Sequence, residues 1–187
     1  MKIILASKSP ARKKLLLELG LKFEVVPSEV DEEKFQDKKP SVRVKKIALA
    51  KAKAVLEKAS KEAVIIAADT MIYYQGKFIG KPKSLAEAER MLSLLSGSTH
   101  FLYTGTCVIK GNRTILDYDK SEVTFRKLMP NEIADCVKDP EVLNHAGAYT
   151  IEKTTFGSGF IKKIKGSYSN VLGLPVEKLN KILKIKN

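Results

Sequence analysis

The chain has 187 residues, 44% hydrophobic and 29% charged, with a formal net charge of +13. That is enough for one substantial core and short for two, so a single domain over residues 1–187 is expected. The balance is that of a globular chain rather than a disordered one. No apolar run approaches the roughly 20 residues of a membrane span, and Lys8 interrupts the N-terminal apolar stretch too early for a secretory signal, so a cytoplasmic protein with no membrane partner is expected.

Ile3, Ile4 and Leu5 read as a short buried strand. Ser9 before Pro10 then opens a helix, hydroxyl as N-cap and proline at the first position, which Gly20 closes. A strand feeding straight into a helix N-terminus leaves backbone N–H groups and the positive end of the helix dipole facing the turn, which suits an anion. Ser7 and Ser9 add hydroxyls there. Arg12, Lys13 and Lys14 add cations, which oppose the dipole unless an anion is near. A plain capped helix with solvated lysines would read the same way. "KFEVVPS" predicts a second strand, "EVDEEKFQDKKP" an acidic loop, and Val44, Ile47, Ala48 and Val55 a long helix from Ser41. "AVIIAADTMIYYQGKFIGKP" predicts an apolar strand ending at Asp69-Thr70, then a hairpin turning at Gln75 and Gly76. In "SLAEAERMLSLLSG", Ser84 and Glu87 predict a capping box, with Leu85, Ala88, Met91, Leu92 and Leu95 on one helix face. Two longer strands, joined at Gly111-Asn112, come next. A short helix follows over Pro130 to Val137, then extended "AGAYTI" and "GFIKKIKG", and a terminal helix. Helices alternating with strands and hairpins predict the α/β class, a mixed twisted sheet flanked by helices.

Cys107 and Cys136 lie far apart, outside any zinc spacing, and predict buried reduced thiols. His100 and His145 read as structural. The charge predicts attraction to polyanions, nonspecific nucleic-acid affinity included, but the lysine-rich stretches lack the interleaved aromatics that stack on bases. Asp69 stands out, because a carboxylate ending an apolar strand is costly unless it is paired or holds a metal, although it could equally cap the next turn. Asp31, Glu32, Lys51, Lys81 and Glu152 add carboxylates for a hard divalent cation and lysines for phosphate oxygens. No GxxxxGK[ST] loop is present, so P-loop chemistry is set aside.

"ILASKSPARKKLL", "AADT", "GKP", "MLSLLSGSTH", "HAGAYTIE" and "GSYSNVLGLPV", in this order over nearly the whole chain, resemble the Maf family of nucleoside triphosphate pyrophosphatases. The resemblance implies a fold like that of the inosine triphosphate pyrophosphatases, bilobed with a central cleft. It also implies hydrolysis of a nucleoside triphosphate to monophosphate and pyrophosphate, a divalent cation (Mg, Mn or Co) and a homodimer. By position it makes Asp69 the catalytic proton acceptor and a metal residue, Glu32 a metal residue, and Ser7, Ser9, Arg12, Lys51 and Lys81 substrate-binding residues.

Specificity, on the same resemblance, falls to Ala11, Thr70 and Glu152. The dTTP/UTP-cleaving branch has arginine, threonine and glutamine there, so only Thr70 agrees. The branch cleaving 7-methyl-GTP has glutamate at the third position, but tryptophan and glutamine at the other two. Pyrimidine triphosphates, dTTP and UTP or modified forms, are the expected substrates, with a 7-methyl-GTP-type base as the alternative. A nucleotide- or nucleic-acid-binding regulator of septum formation is the rival from another class. His145, where the family commonly has lysine, is a further departure.

Overall fold

The structure, a computed structural model, describes residues 2–60, 62–151 and 158–183. The elements run β1 (Ile3–Leu5), α1 (Pro10–Glu18), β2 (Glu24–Val25), α2 (Pro40–Leu56), β3 (Val64–Tyr74), β4 (Lys77–Ile79) and α3 (Leu85–Leu95). They continue with β5 (Thr99–Lys110), β6 (Arg113–Phe125), α4 (Pro130–Cys136), β7 (Ile161–Lys165), α5 (Tyr168–Val171) and α6 (Val176–Leu183). Seven strands form one mixed sheet in the order β2-β1-β3-β5-β6-β7, with β4 also on β3. β1 is parallel to β2 and β3, whereas β4 is antiparallel to β3 and β7 to β6. The expected α/β class holds. The chain divides into two compact units, residues 1–70, 103–119 and 168–187, and residues 71–102 and 120–167.

In the first unit β1, β3 and β5 are buried on both faces, and the strand period of two sorts their side chains. Ile3, Leu5, Val64, Ile66, Ala68 and Val108 share one cluster with Leu15 and Leu16 of α1 and Leu179 of α6. Ile4, Ala6, Ile65, Ala67, Cys107 and Ile109 share another with Ala48, Ala52 and Val55 of α2. The same alternation directs Asp69 toward α2 and its neighbour Thr70 toward α1. Gly105 lies where α2 comes closest to β5: a Cβ there would stand 2.4 Å from the Val44 carbonyl. In the second unit, Phe125 packs edge-on against His100 and Tyr149, with ring centroids 5.1 and 4.7 Å away.

Several local expectations change. Asp69 lies within β3 rather than at its end, because Gln75 and Gly76, both at positive φ, turn the chain so that Ile72, Tyr73 and Tyr74 pair with β4 and prolong the strand. α2 begins at Pro40, one residue earlier, without a side-chain cap. The capping box at α3 is half formed: the Ser84 hydroxyl accepts from Glu87 N at 3.2 Å, but the Glu87 carboxylate accepts from Lys83 N. Leu85 is exposed. "AGAYTI" is not extended at its start: Ala146–Ala148 form a 3-10 turn with Gly147 and Ala148 at positive φ. The terminal helix is two, α5 and α6, parted by Gly173 at φ +100 and by Pro175, which cannot continue a helix. Both cysteines are buried and free.

Candidate active site

α1 starts as its sequence demands. The Ser9 hydroxyl accepts from Arg12 N at 3.4 Å, and the Ser7 hydroxyl accepts from Ser9 N at 3.2 Å, which fixes the turn between β1 and the helix. Arg12, in the first turn, then reaches inward. Its Nε donates to the Gly173 carbonyl at 2.8 Å, one terminal nitrogen to Ser7 Oγ at 3.1 Å and the other to Thr70 Oγ1 at 3.0 Å. All three acceptors are neutral. Burial disfavours the guanidinium's charge while Asp69 and Glu32 oppose that shift. A half-buried cation whose hydrogen bonds go only to neutral acceptors keeps its charge for an incoming anion.

On the other face, Lys51 falls on the buried stripe of α2 with Ile47, Ala48, Ala52 and Val55. Its ammonium donates to Asp69 Oδ1 at 2.8 Å and lies 2.7 Å from Glu32 Oε1, whose residue opens a short 3-10 turn capped by Asp31. Asp69 is 3% exposed, and its second oxygen, Oδ2, has no hydrogen-bond partner among the described residues. Burial pushes its carboxyl above the usual carboxylate range, with Lys51 acting in the opposite direction. A buried carboxylate with one oxygen unsatisfied is costly to the fold, which is what a site reserved for a proton or a cation looks like.

The first unit therefore gathers Ser7, Ser9, Arg12, Glu32, Lys51, Asp69 and Thr70, its two groups meeting at the Asp69-Thr70 step. Ala11 is half-buried on α1 and offers only a methyl group. Lys81 belongs to the second unit and is exposed, next to Gly80, whose carbonyl accepts from Gly147 N at 2.9 Å. Glu152 lies outside the described residues. The sequence reading assigned no role to Thr104, Asn170 or Gly173. Thr70 Oγ1 is 3.0 Å from Thr104 Oγ1, and Thr104 donates to the Asn170 carbonyl at 2.9 Å.

Two carboxylates meeting on one ammonium, one with a spare oxygen, are hard donors of the kind Mg²⁺ takes from protein, the rest of its shell coming from water and phosphate. No group of three or more His, Cys, Asp or Glu side chains gathers among the described residues, so the fit is to a cation held partly by its substrate.

Fold and side chains together define an α/β protein with a buried acid on a buried lysine, beside a half-buried arginine. The chain belongs to the Maf family: the family model described as Maf-like protein matches residues 2–185. It is 44% identical to the dTTP/UTP pyrophosphatase of Bacillus anthracis, over 98% of this chain and 94% of that one. The dTTP/UTP pyrophosphatase of Bacillus cereus strain AH820 is similar to the same degree, with the same coverage. Among solved structures the Staphylococcus aureus Ham1 protein is similar at 14% identity and a TM-score of 0.46, over 67% of this chain and 72% of that one, too low to bear on function.

Proposed function

We propose that this protein is a nucleoside triphosphate pyrophosphatase that cleaves dTTP and UTP, or modified pyrimidine nucleotides, to the monophosphate and pyrophosphate. The observation that carries the reading is the adjacency of a buried, half-satisfied acid, Asp69, to a half-buried arginine, Arg12, whose hydrogen bonds go to neutral acceptors alone. The preference for dTTP and UTP rests on relatives 44% identical over 98% of the chain, and on Thr70.

In this reading a water attacks the α-phosphorus and the bond to the bridging oxygen of the β-phosphate breaks. Asp69 takes the water's proton through Oδ2 or orients the water. Ser7, Ser9 and Arg12 hold phosphate oxygens at the N-terminus of α1, where the helix dipole favours negative charge. Lys51 and Lys81 offset the negative charge of the departing pyrophosphate. Glu32 and Asp69 would hold a divalent cation (Mg, Mn or Co), which when bound supplies further charge neutralisation at the phosphate oxygens. Glu152 is assigned to the base edge. We assign a homodimer and the cytoplasm on the resemblance alone, and the +13 charge supports a weak, salt-sensitive nucleic-acid affinity alongside.

Asp69→Asn keeps the shape of the side chain and removes its basicity. Turnover should fall roughly 100-fold or more while affinity for a non-hydrolysable nucleotide changes little. Pyrophosphate release near the wild-type rate from the folded variant removes Asp69 from the chemistry.

A further inference from the structure

The hydrogen bonds around Arg12 have only one consistent direction. A guanidinium can only donate, so Thr70 Oγ1 accepts from it. A carbonyl can only accept, so the single proton of Thr104 goes to the Asn170 carbonyl. Between the two hydroxyls, 3.0 Å apart, the remaining proton must then run from Thr70 to Thr104. Arg12, Thr70, Thr104 and the Asn170 carbonyl form a polarised chain in which both threonine protons are committed. Thr70 has none left to offer a substrate.

The far end of the chain is well anchored. Thr104 is fully buried on the α1 face of β5, and its neighbour Gly105 is pressed against the backbone of α2. The other hold on Arg12, the Gly173 carbonyl, comes from a residue at φ +100 where a Cβ would stand 3.2 Å from Thr70 Oγ1 and 3.3 Å from Arg12 Nε. The Gly173 carbonyl and the Thr70 hydroxyl thus both hold the guanidinium, and Thr104 holds the Thr70 hydroxyl in turn.

We infer that Thr104 is a positioning residue for Arg12: acting through Thr70, it holds the guanidinium where the triphosphate is to bind. That last step rests on the function proposed above. Thr104→Val keeps shape and volume but leaves the Thr70 proton without a partner, while the Asn170 carbonyl keeps only its bond from Gly173 N at 3.0 Å. Thr104→Ser keeps the hydroxyl. Thr106→Val, two residues along the same strand face, is the control.

Solvent exchange of the Arg12 Nη–H protons, one of which is donated to Thr70 Oγ1, followed by NMR without substrate, should be slow in wild type, Thr104→Ser and Thr106→Val. It should be about tenfold faster or more in Thr104→Val, the size expected from losing one buried hydrogen bond. Thr70→Val cuts the same chain one link nearer and should do likewise, so the test stands if one variant does not fold. KM for the nucleotide should rise about tenfold in Thr104→Val with kcat little changed, and Thr104→Val should add nothing in an Arg12→Ala background. Unaltered Arg12 exchange in both valine variants overturns the proposal. Faster exchange with an unaltered KM upholds the positioning role and overturns instead the assignment of Arg12 to the triphosphate.

Discussion

Thr104 and Thr106 sit two residues apart on the same face of β5, both buried, yet only one hydroxyl has a partner. Thr104 is spent on Thr70 and Asn170, whereas Thr106 Oγ1 has none among the described residues. An unsatisfied buried hydroxyl costs about 1–3 kcal/mol, and valine fills nearly the same volume without it. Thr106→Val should therefore raise stability by about 1 kcal/mol, seen as a higher melting temperature at unchanged turnover. A lower melting temperature would mean that the hydroxyl is satisfied in solution. Asp69 carries a similar unsatisfied oxygen, but there the loss of stability accompanies a candidate function.

At the scale of elements, the turn over Ala146–Ala148 is held by tertiary contact. Tyr149, which follows it, hydrogen-bonds His100 of β5 at 2.7 Å, and Gly147 packs so tightly that a Cβ would stand 2.7 Å from Ile72 Cδ1. Burial lowers the His100 pKa from 6.5 to about 4, so between those values the unfolded chain binds a proton that the folded one does not. Stability is then complete above about pH 6.5 and falls on acidification toward pH 4, by about 3 kcal/mol in all. Replacing His100 with Gln, which does not titrate, should remove that part of the pH dependence of unfolding; an unchanged profile would place its origin elsewhere. The same turn shows what sequence alone could not reach. β1, α1 and the hairpin at Gln75-Gly76 were legible because capping and turn residues act locally. The positive φ of Ala148 comes from packing, and β3 outran its expected end because a partner strand extends it. In the candidate site, Ser7, Arg12, Glu32, Lys51 and Asp69 stood out by residue type, although Lys51 lies within α2 and Asp69 within β3 rather than at an element end. Thr104, Asn170 and Gly173 did not, since they meet Arg12 and Thr70 only in the fold. Their available signals were a pair of threonines in the apolar "TGTCVI" and the family motif "GSYSNVLGLPV".

For the whole molecule, the charge of +13 has more than one origin. Lys162, Lys163 and Lys165 occupy β7, the outermost strand of the sheet order, where lysines guard an edge against pairing with another chain. Lys51 is buried against Asp69 and Glu32, and Arg12 is half-buried against Thr70. In the function proposed above, bulk charge would serve general attraction to polyanions, and Lys51 and Arg12 a particular one. No helix of the described residues is long and apolar enough to cross a membrane. The most direct measurement is product analysis of the wild-type protein with dTTP, UTP, CTP and 7-methyl-GTP, each in Mg²⁺, Mn²⁺ and Co²⁺. The expected result is equimolar monophosphate and pyrophosphate, with the highest kcat/KM for dTTP and UTP. Orthophosphate as the product, or no product from any nucleotide with any of the metals, would contradict the account.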